Sequence, residues 1–413
     1  MADTTKNKNK TKRKTTAARR KRQNGKEMQE LTPEQEKRLQ QRKKREALRN
    51  SMIIDVVAAV ILIALILFVW KRTYHSYKVV LASEQEDVVS TNYVSMGGKI
   101  LRYSPTEASL MDRRMRASWT ESYSMSNPVA DVNGNSAVIA DIDGTSFAIF
   151  NKNGKTGEVT TSYSIVKARI SENGLAAVIL DAGDDTWINF YASDGSLIAE
   201  NQTKVDDPGF PLDMAVSDNG SILMVAYQFV DGGDTTSYVA FYNFSEVGQN
   251  EDDRIVSGYT YEGTVIPQVQ FLSAGKYVAL RDNGFTLYNG KQIPKEKKSV
   301  EVENEIISTF YDENLIGLVF KNSDDTDKLY TMDVYSTDGK LKFSRSFNIP
   351  YTSVKMSDNA ILLYNSSQIC IMNDKGEERF NSTIDGTVRN FFKIGWNRYM
   401  LILDNGINII KLA

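Results

Sequence analysis

The chain has one cysteine, Cys370, and one histidine, His75. A single cysteine excludes an intramolecular disulfide, so this is no disulfide-stapled secreted scaffold. A domain of this length can still stand outside the cytoplasm on its own core. Cys370 lies in the apolar run SQICIMND, where a buried structural thiol is the plain reading. His75 falls in a short polar stretch, so no Ser-His-Asp or Cys-His arrangement can be assembled in the body of the chain. A His/Cys metal cluster is excluded on the same ground. No glycine-rich loop follows a strand and opens a helix, which removes the phosphate-loop classes. Proline is scarce, at 8 residues in 413, and no long helical periodicity appears after about residue 73. Carboxylates are plentiful enough for a paired-carboxylate hydrolase, but nothing singles out a pair. The expectation is a protein that is not an enzyme, with no cofactor and no metal.

What is present is divided unevenly. Residues 1–50 carry 18 Lys+Arg against 6 Asp+Glu, a net of +12, while the remainder carries 32 against 46, a net of -14. Between them Met52 to Trp70 reads MIIDVVAAVILIALILFVW. At about 1.5 Å per residue that helix reaches roughly the thickness of a hydrocarbon core. Trp70 and then Lys71-Arg72 supply an interfacial aromatic and a charged stop. The basic region and the apolar run are both too long for a cleaved signal peptide. The basic excess precedes the span, so the sequence predicts a single-pass membrane protein with residues 1–50 cytoplasmic and the rest extracytoplasmic. Asp55, one turn inside the span, reads as an interfacial carboxylate, with a helix–helix contact in the membrane as the alternative. The tail is expected to be disordered at first, for want of apolar groups. Thr32-Pro33-Glu34-Gln35 then reads as a helix start. Arg42, Lys43, Lys44, Arg45 and Arg49 cluster where that helix meets the inner leaflet, which points to contact with anionic lipid. Nucleic acid is set aside because no aromatics are interleaved to stack on bases.

After a polar linker, placed at residues 73–87, short β-rich runs are separated by turn signals almost to the last residue. Turns such as SENG at Ser171, SDNG at Ser217, STDG at Ser336 and SDNA at Ser357 mark them off. The runs group in fours, with sets beginning at Asn92, Pro128, Val166, Leu212, Pro267, Ile306 and Ser353. Four short antiparallel strands at a period of roughly 38 to 55 residues mark a β-propeller blade. The Asn/Asp-Gly turns supply the positive φ that two-residue hairpins require. The final set holds only three strands: VRNFFKI, RYMLIL and INIIKLA. A strand from near Asp87 to Ser90, with Val88-Val89 at its centre, is expected to complete it and leave no open edge. The reading is an all-β, eight-bladed propeller over residues 88–413, with seven blades as the alternative, preceded by a basic tail (1–50) and one transmembrane helix (51–72).

LMDRRMRASWT, from Leu110 to Thr120, resembles a worn copy of the Asp-x-x-Gly-x-x-x-Trp pattern of quinoprotein-like (PQQ-like, WD40-like) propellers, with an arginine where the glycine belongs. NPVADV, INFYASDG and VAFYNFSEVGQN are similar to stretches of an uncharacterised bacterial family that joins a basic tail, one span and such a propeller. The resemblance covers most of residues 90–413. It implies a bacterial cell-envelope protein, and relatives with this fold include both quinone dehydrogenases and non-enzymatic assembly scaffolds. Other sets lack the tryptophan, which argues against quinone chemistry.

The loops between second and third strands share one face of a propeller, and here they are rich in aspartate. Three of them, at 181–185, 231–234 and 324–327, read as longer than a turn requires. Asp184, Asp185, Asp231, Asp234, Asp324 and Asp325 are therefore the candidate docking residues for a basic envelope protein, with solvated turns as the plain alternative. Asp131-x-Asn133-x-Asn135 has the alternate oxygens of a calcium loop but lacks the downstream bidentate glutamate. The functional expectation is an interaction scaffold in the bacterial envelope. The alternatives are a sensor for a small molecule or glycan in the central channel, or an envelope hydrolase or quinone-dependent enzyme.

Overall fold

A computed structural model describes residues 33–84, 90–204, 208–322 and 327–413. The chain divides into two compact units, Met1–Arg72 and Thr73–Ala413. In the first, helix α1 runs unbroken from Pro33 to Lys71. Pro33 suits the first helical position, and Glu34 and Glu36 lie in the first turn, where the helix dipole favours negative charge. Glu34 pairs with Arg38 one turn on, at 3.1 Å. By length and composition the helix is apolar enough to cross a membrane. Thr32, expected as its cap, lies outside the described residues.

The second unit is an eight-bladed β-propeller built from 32 strands in eight four-stranded antiparallel sheets. Seven blades are continuous in sequence: β2–β5 (Asn92–Ser122), β6–β9 (Pro128–Thr160), β10–β13 (Ser164–Lys204), β14–β17 (Phe210–Glu262), β18–β21 (Gln268–Glu301), β22–β25 (Ile306–Phe347) and β26–β29 (Ser353–Thr383). The eighth joins β30 (Val388–Gly395), β31 (Arg398–Leu403) and β32 (Gly406–Leu412) to β1 (Tyr77–Ser83). Ring closure by a strand from each end of the domain is thus as expected, but the donor is different. Tyr77 pairs with Leu412 and Ser83 with Ile407, so the closing strand lies inside the stretch read as linker. Of the expected donor, residues 87–89 lie outside the described residues. TyrLysValValLeuAlaSer is itself an apolar strand, and Tyr77 meets Phe380 edge-on at 6.3 Å. The expectation went to the run next to Asn92 because adjacency in sequence was its only guide.

The core explains why the unit repeats. Apolar side chains gather in eight clusters, each shared by two neighbouring blades. Along β7 (Ser136–Asp141), Ala137 and Ile139 face the first blade while Val138 and Ala140 face the third. Period-two alternation therefore gives every blade two buried faces, and no blade can bury them alone. Closure is sealed by Tyr93 and Ile100 of the first blade against Phe392, Met400 and Ile409 of the eighth.

The turn chemistry needs two corrections. In SENG, SDNG and STDG only the glycine has positive φ, at 87° for Gly174, 70° for Gly220 and 71° for Gly339. Gly174 N donates to Ser171 O, and Ser171 N donates to Leu175 O. SENG and STDG are three-residue turns ending in a left-handed glycine, and SDNG runs one residue longer, with Ser217 N donating to Ile222 O; none is a two-residue hairpin. In the Asp112 segment the pattern's glycine position falls on Met115, not on an arginine. Met115 takes the left-handed φ, 62°, and the Asp112 carboxylate holds the turn through Arg114 N at 2.7 Å and Arg116 N at 3.0 Å. The worn copy has a left-handed turn where the pattern has its glycine.

Candidate functional site

The first strand of each set lines the central channel, and its charged residues meet there. In β10, Lys167 and Arg169 are two apart and so share a face. Both reach Asp213 of the next blade, a side chain 1% exposed, at 2.9 and 2.7 Å. Val269 N of the blade after that donates to the second oxygen of Asp213 at 2.9 Å. Arg169 also stands 3.5 Å from Asp131 of the preceding blade, and Ile170 N donates to Asp131 at 2.8 Å. One chain of polar contacts thus links four successive blades. Burial raises the pKa of Asp131, opposed by Arg169. For Arg169 burial acts downward, but Asp131 and Asp213 outweigh it and the net shift is upward. Tyr311 completes this side of the channel; burial pushes its hydroxyl up to about 12, and it accepts from Gln268 and donates to Gln270.

Further round, Lys355 on β26 has no carboxylate against it among the contacts of the described residues. Its ammonium donates to Asn390 Oδ1 and lies 3.9 Å above the Phe392 ring. Burial lowers its pKa to about 7. At one mouth the channel opens into a cavity of about 500 Å³, lined among others by Asp131, Arg169, Glu172, Asp218, Gln270 and Glu313. The arrangement can hold a polar or cationic group, but it presents no nucleophile with an adjacent base. Asp131, Asn133 and Asn135 do not converge as a cation loop would need. Asp131 is engaged by Arg169 and Ile170, and Asn133 donates to Asp218 at 3.2 Å. His75 is exposed and Cys370 is buried, with its thiol pKa raised by burial.

The aspartate-rich turns lie on the face shared by second-to-third-strand connections, called here the upper face. Their lengths differ from expectation. β11 (Ala176–Asp181) passes to β12 (Asp185–Tyr191) through three residues, with Asp181 accepting from Gly183 N at 2.8 Å. Asp184 is exposed and Asp185 half-buried. Asp231 and Asp234 are the last register pair of β15 (Ile222–Asp231) and β16 (Asp234–Asn243). Only Gly232-Gly233 separates them, with φ of 60° and 99°, as a two-residue hairpin turn requires. Asp324 and Asp325 lie outside the described residues.

The extra length is in the strands instead. β15 and β16 have 10 residues each, where the second and third strands of the other blades have 5 to 7. The hairpin of the fourth blade therefore carries a tip longer than the ring uses, with Val230 71% exposed. Sequence reading missed this tip and the channel network. The network left one signal, the alternate Lys167 and Arg169 in an otherwise apolar strand. On α1, Arg42, Lys43, Lys44, Arg45 and Arg49 are all exposed.

Comparison with known proteins agrees with this geometry. The profile of a family of unknown function, DUF5711, matches residues 70–412. No curated protein matches the sequence. Among solved structures, BamB from Moraxella catarrhalis superposes with a TM-score of 0.50 at 12% identity, covering 82% of this chain and 100% of its own. Hsv2 from Kluyveromyces lactis gives 0.44 at 9% identity, covering 71% and 97%. The Pan2 WD40 domain of Neurospora crassa gives 0.42 at 12% identity, covering 70% and 88%. At 12% identity the likeness to BamB concerns the fold alone.

Proposed function

The chain belongs to the DUF5711 family of unknown function, and from that premise we propose that it is a non-catalytic interaction scaffold of the bacterial cell envelope. It is anchored by α1, with its N-terminus cytoplasmic and its propeller outside. The observation that carries this reading is the overlong β15–β16 hairpin. A ring that only had to close gains nothing from three to five further residue pairs, which end at Asp231 and Asp234 and expose Val230. Single apolar residues are common on surfaces, but an apolar residue on a projecting, ladder-rigid tip is a feature shaped for contact. The acidic residues beside it, Asp231 and Asp234 on the same tip and Asp184 and Asp185 one blade away, select a basic partner and speed its approach. The +12 of residues 1–50 against -14 of the rest supports the orientation, and the exposed basic cluster from Arg42 to Arg49 suits anionic lipid of the inner leaflet. The propeller likeness to BamB is consistent with a scaffold.

A photo-crosslinking residue at Val230, compared with one at Val129 on the inner strand of the second blade, tests the reading in intact cells. The tip should capture a discrete protein, and Asp184→Asn/Asp185→Asn/Asp234→Asn should make that capture weaker and less salt-sensitive while leaving melting unchanged. Equal capture from both positions, or none from the tip, would sink the docking role.

A further inference from the structure

Blade eight carries a row of positive charge that nothing described in the protein answers. Lys78 on β1 is the register partner of Lys411 on β32, and Lys411 is the register partner of Arg398 on β31. Register partners project to the same side of a sheet, so three cations stand side by side across three strands. All three are exposed. Among the described residues no carboxylate pairs with any of them. Other surface cations have carboxylates within reach, as in Lys297 with Asp338, Lys155 with Glu158 and Arg379 with Glu377. Like charges directly opposite one another weaken an antiparallel sheet. The row therefore works against folding unless an anion from outside covers it.

Trp396 stands at the end of this row. It occupies the β30–β31 turn, two residues before Arg398, and is 69% exposed. The turn is pinned beside the last strand, because Leu412 N donates to Asn397 O at 3.0 Å and Asn397 Nδ2 donates to Leu412 O at 3.3 Å. On the same lower face, the β4–β5 turn of the first blade exposes Arg113 and Arg114. Its Met115 packs on the cluster formed by Phe392, Ile394 and Met400, which holds that turn against blade eight. The far side of this face has the opposite sign, with Glu172, Asp218 and Glu313 around the channel mouth. The chain also joins the propeller beside the row: Tyr74 N donates to Arg379 O, and Ala413 N donates to Ser76 O.

We propose that this rim of blades eight and one, formed by Lys78, Lys411, Arg398, Arg113, Arg114 and Trp396, docks on the anionic phospholipid headgroups of the bilayer that anchors the chain. The inference rests on the membrane-anchored reading given above. Cations around a projecting indole are the composition of bilayer-interface anchors. Flexible lysine and arginine heads on an open strand surface suit a fluid layer of headgroups, which asks for charge and not for shape. The propeller is then seated on one arc, with the upper face and its hairpin left for the protein partner.

The full-length protein in nanodiscs tests this, using acyl chains brominated near the headgroup. One set of discs is phosphatidylcholine alone and the other contains phosphatidylglycerol. Emission lost on Trp396→Phe isolates Trp396, and emission lost on Trp70→Phe isolates Trp70 at the end of the apolar helix. We expect Trp396 to be quenched in the phosphatidylglycerol discs. The quenching should be lost in phosphatidylcholine and in the Lys78→Gln/Arg398→Gln/Lys411→Gln variant. In detergent that variant should melt no lower than the wild type, since it removes a repulsion. Quenching of Trp70 without Trp396 overturns the proposal and leaves the anchor standing, and an acidic protein then becomes the occupant of the row. Equal quenching of Trp396 in both discs, or quenching indifferent to the triple substitution, also overturns it. Absence of quenching at Trp70 as well overturns the anchored reading itself.

Discussion

Asp213 ties three blades of the ring together. Its two oxygens accept from Lys167, Arg169 and the Val269 amide, which come from two neighbouring blades. Removing it takes the carboxylate from Lys167 and leaves Arg169 with Asp131 alone, and breaking a buried pair in this way costs up to about 3–5 kcal/mol. Asp213→Ala should therefore lower the urea midpoint of the detergent-solubilised chain by that free energy, with Asp213→Asn intermediate. A loss within experimental error would mean that water, not Asp213, solvates Lys167 and Arg169. Lys355 makes a prediction with a sign. Its folded pKa is lowered to about 7 from 10.5, so between those values the unfolded chain holds the proton more tightly. Stability should then rise with pH from about 7 to about 10 and stay level below 7, by up to a few kcal/mol. Lys355→Met should flatten the profile over that window. The alternation of Lys167 and Arg169 is visible in the sequence and tells which face they share. Their partner is not visible, because Asp213 lies one blade away and no local pattern ties the two.

Among the elements, β1 decides whether the ring is closed. It covers the edge of β32 through Tyr77, Lys78, Val79, Leu81, Ala82 and Ser83, and its loss would leave an apolar strand edge open to pairing with another chain. A chain that begins at Thr91 should aggregate, or melt lower by about 10 °C or more, than one that begins at Thr73. Equal melting would show that the three remaining strands suffice. β1 itself ends the sheet with Val79 and Val80 half-exposed, and its register shifts between Val79 and Leu81. Such an irregularity twists an edge away from further partners. The strand existed in the sequence as a β-rich run of seven residues. The apolar helix ends only six residues earlier, and a linker is the ordinary expectation there. The β15–β16 hairpin was misread for a related reason: aspartates flanking two glycines look like a long loop, whereas the ladder continues to Asp231 and Asp234 and the loop is two residues. Cross-strand pairing, which sequence reading sees poorly, sets where a strand stops.

At the scale of the whole molecule, the sign of the charge on either side of the apolar run Met52 to Trp70 predicts which part meets which compartment. Protease added to intact spheroplasts should digest the propeller and spare residues 1–50. Survival of the propeller would reverse the orientation and move the proposed partner to the cytoplasm. The two faces of the propeller differ in charge and shape. The upper face has the aspartate turns and the projecting hairpin, and the lower rim of blades eight and one has the cations and Trp396.

The sequence by itself determined the class and the count. Strand-length apolar runs at period two, cut by glycine turns and grouped in fours, can bury both their faces only between copies of themselves. Seven sets and three strands left over then require one strand from the other end. The basic tail and the apolar run were equally legible, since charge and hydropathy are properties of consecutive residues. Only the tertiary structure decided which segment closed the ring, which charges met in the channel and which were left unanswered on the rim. Lys78, Arg398 and Lys411 become a row because β1 is carried across more than three hundred residues to lie beside β32. Lys167, Arg169, Asp131 and Asp213 become one network because three successive blades turn about a common axis. Contacts of that separation are set by packing and closure, and no window of the sequence contains both partners.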